Sequence, residues 1–318
     1  MMRPGASTEP TCLRLVLFGE QRSGTTLLAD LLDAQVGLRV ASGYLGAMMY
    51  CAYRELGLSP ASPLSPRKRH VLWQRIRASE RDPRLQLEAT MPAHVGTLDE
   101  LHVELLARIA QPQDRIVGHK IHGPIEALPA LLERPDARCI YMIRDVRDVL
   151  LSRSYRGQDA LDEPTKAWLK SAKAVRALGS HPRLLVVRFE DLLTSTEATL
   201  SRIADWLGLA SLSAAGLVDA SGRPKLQNSS HGELAMFDSR AVGRFREHRG
   251  SRLMRFAQWR CRDELQRWGY ALDSTLDAPL AERRQFVRRL LVIEALELPR
   301  RAKNALLAHA LPSLVADD

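Results

Sequence analysis

A glycine-containing turn between an apolar segment and an amphipathic segment constrains this chain more than any other feature of its sequence. Residues 13–18 form a short apolar run that ends at Gly19, and residues 26–34 carry apolar side chains at helical spacing. The turn that joins them is Gly19-Glu-Gln-Arg-Ser-Gly-Thr-Thr. A strand, a tight loop and a helix in this order predict the first unit of an α/β fold.

The same alternation recurs along the chain. Residues 115–117, 137–143 and 184–187 are predicted strands, and helices are predicted from about Val146 and over 196–207. Such alternation buries a parallel sheet beneath helices on both faces. The predicted fold class is therefore α/β, a three-layer parallel sheet with helices on both faces and extra C-terminal helices near 251–268 and 279–310.

Composition narrows the choice of function. The 318 residues are 45% hydrophobic, and 46 Lys and Arg against 37 Asp and Glu give a net charge of +9, which suits an anionic ligand as well as an ordinary solvated surface. An aromatic share of 5% argues against a nucleic-acid partner. Cysteine spacing predicts no metal or dithiol site. No signal segment or membrane span is predicted, so the expected location is cytoplasmic.

The residues of the turn predict a P-loop-like nucleotide-binding core. Backbone N–H groups at a helix N-terminus favour an anion. Gly19 and Gly24 have the spacing of the nucleotide triphosphatase loop, but Thr25 stands where that loop has its lysine, and the nearest cation is Arg22. A phosphate-binding loop is predicted, with a ligand-free structural turn as the alternative.

A second segment predicts another anion contact. Its sequence is Tyr141-Met-Ile-Arg-Asp-Val-Arg-Asp-Val-Leu-Leu-Ser152. Asp145 is a predicted N-cap, which leaves Arg144 at the carboxyl end of a strand, where ligands of open α/β sheets bind. Ser152 follows about two turns along the helix and is predicted to reach an anion held by Arg144. The alternative is an ion pair with no ligand.

These two segments resemble the cofactor motifs of the sulfotransferases that use 3′-phosphoadenosine 5′-phosphosulfate (PAPS). The first resembles their 5′-phosphosulfate loop and the second their 3′-phosphate motif, while Val242-Gly-Arg-Phe-Arg-Glu-His resembles the Gly-Arg-Trp segment near the 3′-phosphate, with Phe245 in place of tryptophan. The resemblance implies PAPS as cofactor, 3′-phosphoadenosine 5′-phosphate (PAP) as product and no metal. The implied cofactor-binding residues are Arg22, Ser23, Gly24, Thr25, Thr26, Arg144, Ser152 and Arg244.

The segment Gly118-His-Lys-Ile-His-Gly-Pro is similar to the Lys-Thr-His stretch of cytosolic sulfotransferases, apart from Ile121. The resemblance implies that Lys120 approaches the sulfuryl group and that His122 is the catalytic base. In the glycosaminoglycan branch the stretch is Glu-Lys-Thr-Pro, which would put His119 in the place of the base. Alternation along a strand-like segment favours His122, on the side of Lys120. Glu88 is a third candidate base, and both histidines could instead be structural.

The resemblance implies in-line transfer to a hydroxyl or amine, with Arg22 and Lys120 stabilising the leaving group. One domain is predicted: a cofactor-binding core in 13–43 and 113–272, a mainly helical acceptor-side insertion in 44–112 and a helical extension in 279–310. The insertion and a loop at 219–242 would form the acceptor pocket. The acceptor, whether a small molecule, a sugar or a lipid, is left open, as is a homo-oligomer.

Two other functions compete with this one. A P-loop kinase or nucleotidase would share the fold and predicts magnesium-dependent use of ATP, although the Walker lysine is missing. A binding module that holds an anion without chemistry would share both motifs. Arg188-Phe-Glu-Asp-Leu-Leu also resembles a sulfotransferase segment and is predicted to cap the following helix.

Overall fold

One parallel sheet organises the chain. The computed structural model describes residues 12–42, 48–49, 51–79, 83–122, 125–158, 161–214 and 237–297. Its strands are β1 Leu13–Gly19, β2 Leu38–Ala41, β3 Ile116–Ile121, β4 Ala137–Ile143 and β5 Leu184–Arg188. They pair in the order β2-β3-β1-β4-β5, and every pairing is parallel. β1 is therefore the central strand, with β3 and β4 beside it.

Helices and short turns fill the rest of the described chain. The helices are α1 Thr25–Asp33, α2 Pro66–Ser79, α3 Leu98–Ile109, α4 Ala127–Leu132, α5 Val146–Ser154, α6 Asp162–Leu178, α7 Phe189–Thr194, α8 Thr196–Leu207, α9 Arg252–Arg267 and α10 Leu280–Glu297. A π-helical turn spans Cys51–Glu55, and 3₁₀ turns span Pro83–Leu85, Ser239–Ala241, Arg244–His248 and Ser274–Leu276. No helix among the described residues is long and apolar enough to cross a membrane.

The sheet separates two apolar clusters because successive strand side chains point to opposite faces. Leu15 and Leu17 of β1 pack into the cluster formed with α1, α7 and α8. Val16 and Phe18 pack into the other cluster, with α2 to α6 and α9. The predicted three-layer α/β fold is confirmed.

Two strands differ from the sequence prediction. β2 was not predicted, because Arg39 interrupts the apolar residues of this four-residue strand. β3 continues four residues beyond the predicted end at Val117. It packs closely on β1: a Cβ at Gly118 would lie 2.1 Å from the carbonyl oxygen of Leu15. His119 and Lys120 are therefore strand residues whose side chains point to opposite faces of the sheet.

The outer segments are mainly helical where they are described. The section 44–112 contributes α2 and α3, and α9 and α10 cover most of the predicted C-terminal helices. Residues 298–310 and most of the predicted loop 219–242 lie outside the described residues. All four cysteines are free thiols, and Cys51, Cys139 and Cys261 are buried.

Candidate active site

The loop after β1 lies at the edge of the sheet where β1, β3 and β4 end together. Gly24 is the N-cap of α1 and has a left-handed φ of 91°. A Cβ at this position would lie 2.4 Å from the Phe189 ring, so glycine is required both by conformation and by space. The loop consequently presents the N-terminus of α1, with its unpaired N–H groups, at the carboxyl edge of the sheet.

Two hydroxyl side chains of the loop lie inside it. Ser23 and Thr25 are each about 1% exposed, and Ser23 Oγ has no hydrogen-bond partner. A buried hydroxyl without a partner is unfavourable by about 1–3 kcal/mol. Ser23 Oγ is thus a buried donor inside the loop that no other described group satisfies.

Arg22 lies within a cluster of positively charged side chains. Its Nε donates to Ser152 Oγ over 2.9 Å. Burial, together with the neighbouring charges of Arg156, Arg144 and Arg153, lowers the pKa of Arg22 to about 10. Four guanidinium groups that repel one another make a favourable environment for an anion.

Arg144 connects the loop to a later segment of the chain. Its Nη1 donates to the carbonyl oxygen of Arg22 over 3.0 Å, and its Nη2 donates to that of Ala241 over 2.8 Å. The guanidinium carbon lies 4.2 Å from the centre of the Phe189 ring. Arg144 is 8% exposed, and its Nε is buried without a hydrogen-bond partner. The structure thus brings the two predicted cofactor motifs together.

Lys120 reaches the same loop from β3. Its Nζ donates to Thr26 Oγ1 over 2.9 Å, and the side chain is buried. The ammonium group therefore lies beside the first turn of α1. This is where the sequence prediction placed a charge for the leaving group.

His122 follows β3 directly and is half-buried. Its Nδ1 lies 3.4 Å from the carbonyl oxygen of Gly19. Because a carbonyl only accepts, this contact needs the proton on Nδ1, which leaves the lone pair on Nε2. Burial, assisted by the charges of Lys120 and Arg22, lowers the pKa of His122 to about 4. The imidazole is therefore neutral at pH 7, with its lone pair on Nε2.

The other two candidate bases lie in different surroundings. His119 is fully buried on the opposite face of β3, and its Nε2 lies 2.7 Å from Nε2 of His102 on α3. Glu88 is exposed and forms an ion pair of 2.8 Å with Arg108. The structure groups Lys120 and His122 with the loop, and it gives His119 and Glu88 partners elsewhere.

Arg244 opens the 3₁₀ turn Arg244–His248. It is half-buried, and its Nη1 has no solvent contact and no hydrogen-bond partner. The chain immediately before it contacts Arg144 through Ala241. The third predicted phosphate contact thus joins the same region.

The long-range contacts of the buried polar residues beside the site were not predicted. Glu190 does not cap its own helix: Oε1 accepts from the Asp145 N–H over 2.9 Å, and Oε2 accepts from the Tyr270 hydroxyl over 3.1 Å. Asp145 does cap α5, by accepting from the Arg147 N–H. Sequence periodicity carries no signal for such contacts between distant segments. Among the described residues, no group of metal-ligating side chains is found.

A parallel sheet with an anion-binding loop between its central strand and first helix defines the P-loop-like class of α/β proteins. Within that class, the sequence profile of the sulfotransferase family matches residues 15–213, which is more than half of the chain. The chain belongs to the sulfotransferase family.

Several solved structures are similar to this chain, and the first of them supports the fold. The sulfotransferase domain of the Synechococcus PCC 7002 olefin synthase superimposes with a TM-score of 0.52, over 86% of this chain and 100% of that domain, at 18% identity. The sulfotransferase domain of the curacin biosynthetic pathway gives 0.45, over 82% and 99%, at 16% identity. Retinol dehydratase in complex with androsterone and inactive cofactor PAP gives 0.41, over 82% and 82%, at 18% identity. No curated protein sequence gives a significant match.

Proposed function

We propose that this protein transfers the sulfuryl group of PAPS to a hydroxyl or amine of an acceptor. The observation that carries the proposal is the junction of two motifs far apart in sequence, where Arg22 contacts both Ser152 and Arg144. One bisphosphorylated nucleotide would contact both motifs at once. The sulfotransferase family supplies the reaction class.

The loop residues fit the 5′-phosphosulfate end of this nucleotide. The N-terminus of α1, Ser23 Oγ and the cations Arg22 and Lys120 provide donors for its oxygens. Gly24 and Thr25 keep the loop closely packed, and Thr26 holds the Lys120 ammonium group. These residues would bind the anion and orient it.

The second motif fits the 3′-phosphate. Arg144 Nε and Arg244 Nη1 are both buried nitrogens without a hydrogen-bond partner. Buried donors of charged groups are rarely left unpaired in proteins, so each is suited to a ligand oxygen. Ser152 adds a hydroxyl beside Arg22.

His122 is the base in this mechanism. Its Nε2 takes the proton from the acceptor hydroxyl while the acceptor oxygen forms a bond to sulfur. The bond between sulfur and the bridging oxygen breaks, and the electron pair remains on the 5′-phosphate. Lys120, Arg22 and the loop N–H groups stabilise that negative charge. The section 44–112 would face the acceptor, whose class these residues leave open among small molecules, sugars and lipids.

Calorimetric titration with PAP, beside ATP with magnesium, tests the proposal. We expect PAP to bind equally well with and without EDTA, and Arg144→Ala to weaken it by about 10- to 100-fold through loss of charged hydrogen bonds. Arg75→Ala is the matched control, because Arg75 is exposed and pairs with Glu55. A preference for ATP with magnesium would support a kinase instead. Failure to bind PAP would overturn the proposal.

A further inference from the structure

Asp148 is a buried carboxylate inside the predicted nucleotide site. Asp148 is 2% exposed and lies on the first turn of α5, four residues after Arg144. Oδ2 accepts from the Gly243 N–H over 2.7 Å, and Oδ1 accepts from the Phe245 N–H over 2.9 Å. Both oxygens of one side chain therefore hold a segment that lies about a hundred residues further along the chain.

The residue between these two N–H donors is Arg244. Asp148 thus fixes the backbone on both sides of Arg244, at the N-terminus of the 3₁₀ turn where N–H groups need an acceptor. Oδ2 also lies 3.9 Å from Nη2 of Arg144. One carboxylate consequently contacts the segments of Arg144 and Arg244, each of which has a buried nitrogen without a hydrogen-bond partner.

The neighbouring side chains keep this turn in one position. Phe245 is 2% exposed, and the guanidinium groups of Arg147 and Arg246 lie 4.0 and 5.1 Å from its ring centre. The turn is therefore attached to α5 through Asp148 and through the Phe245 ring. A shift of Asp148 would move Arg244 relative to Arg144, because Asp148 holds the backbone on both sides of Arg244 while Arg144 lies just before α5.

We infer that Asp148 is a positioning residue for recognition of the 3′-phosphate, which it serves by holding Arg244 opposite Arg144. The inference rests on the proposed function, since it assigns a role within the same nucleotide site. Asp148 itself does not contact the phosphate, because a carboxylate would repel it. Its effect is expected on the preference for a nucleotide that carries a 3′-phosphate, and not on nucleotide binding in general.

The test compares two ligands that differ only in the 3′-phosphate. PAP and adenosine 5′-phosphate are titrated into the full-length wild-type protein and Asp148→Asn. Asparagine supplies one acceptor and places an NH₂ group against the second N–H. We expect Asp148→Asn to lower PAP affinity by about tenfold or more, and to change adenosine 5′-phosphate affinity by less than about threefold.

Two further variants separate positioning from a general loss of stability. Asp33→Asn is the matched control, because Asp33 also accepts from a backbone N–H, that of Val40, but lies at the C-terminal end of α1. We expect it to leave the PAP preference unchanged. Asp148→Glu retains the charge and both acceptor oxygens, so it should keep more of the preference than Asp148→Asn. In an Arg244→Ala background, Asp148→Asn should cause little further loss.

Each outcome decides a separate question. An equal loss for both ligands, or no loss for either, would overturn the role of Asp148 while the wild-type preference for PAP still supported the proposed function. A wild-type protein that binds PAP no better than adenosine 5′-phosphate would overturn both. Should the variants not fold, hydrogen exchange of the wild type decides: fast exchange at the Gly243 and Phe245 amides would contradict the inference.

Discussion

Single residues at the end of β3 acquire their roles from the direction of their side chains. His119 and His122 are chemically alike and three residues apart, yet one contacts His102 within the core and the other lies beside the anion-binding loop. Burial lowers the pKa of both to about 4, so basicity does not distinguish them. Their location distinguishes them, because only an imidazole that a substrate can reach serves as a base.

The two histidines are therefore expected to respond differently to substitution. His122→Ala should reduce turnover by about 10²- to 10⁴-fold, the usual contribution of a general base, with PAP affinity little changed. The measurement is kcat and PAP affinity with an acceptor found by screening with PAPS.

His119→Gln and Glu88→Gln serve as comparisons. Both should retain turnover within a few-fold, because their side chains contact His102 and Arg108 instead of the loop. Full turnover in His122→Ala, or a loss confined to His119→Gln, would show that the base has been assigned wrongly.

The N-terminus of α5 lies where the predicted cofactor motif meets the apolar core. Arg147 is 1% exposed, and its Nε and Nη2 donate to the two oxygens of Asp145 over 3.0 and 2.6 Å. Its Nη1 donates to Gln258 of α9 over 2.7 Å. This buried pair fixes the helix that carries both Asp148 and Ser152.

Removing Arg147 should destabilise the protein strongly. Arg147→Ala leaves the Asp145 carboxylate buried without its cation, for which we expect a loss of roughly 3–5 kcal/mol in the free energy of unfolding. Arg75→Ala removes an exposed pair with Glu55 and should change it by less than about 1 kcal/mol. Urea unfolding of both variants measures the difference. Similar values for the two would contradict a structural role for the buried pair.

The lowered pKa values of the buried histidines predict how the free energy of unfolding of the protein depends on pH. Burial lowers the pKa of His102, His119 and His122 in the folded state, and the charges on Arg14 and Arg134 add to this effect at His102. Neutral imidazole is thus favoured by folding. The stabilising contribution is complete above the unfolded pKa of about 6.5 and is lost as pH falls from there towards 4.

The double variant His102→Gln with His119→Gln isolates this effect from that of the carboxylates. Between pH 7 and pH 5 the wild type should lose more stability than the variant does, by roughly 1–2 kcal/mol from His119 alone and more with His102. Urea unfolding at both pH values gives the comparison, with His70→Gln, an exposed histidine on α2, as control. Parallel pH dependence in wild type and double variant would show that the pair is not the cause.

Local sequence determined the elements and the chemistry of the motifs. The strand 137–143 and the helix 196–207 have the predicted bounds. A continuous apolar run is typical of a strand buried on both faces, and apolar residues at helical spacing bury one face of a helix. The loop of Gly19 to Thr26 was likewise evident, since its glycines and hydroxyl residues are adjacent in the chain. Two elements gave no such signal: Arg39 interrupts the apolar residues of β2, and the end of β3 combines charged and apolar residues.

Only the tertiary structure decided which groups act together. The contacts of Arg22 with Ser152, of Arg144 with Ala241 and of Asp148 with Phe245 join residues 97 to 130 positions apart. They form because the parallel strands β1, β3 and β4 bring their carboxyl ends to one edge of the sheet. No local sequence pattern predicts the order in which these strands pair. The direction of His119 and His122 likewise depends on where β3 ends, which is set by its pairing with β1.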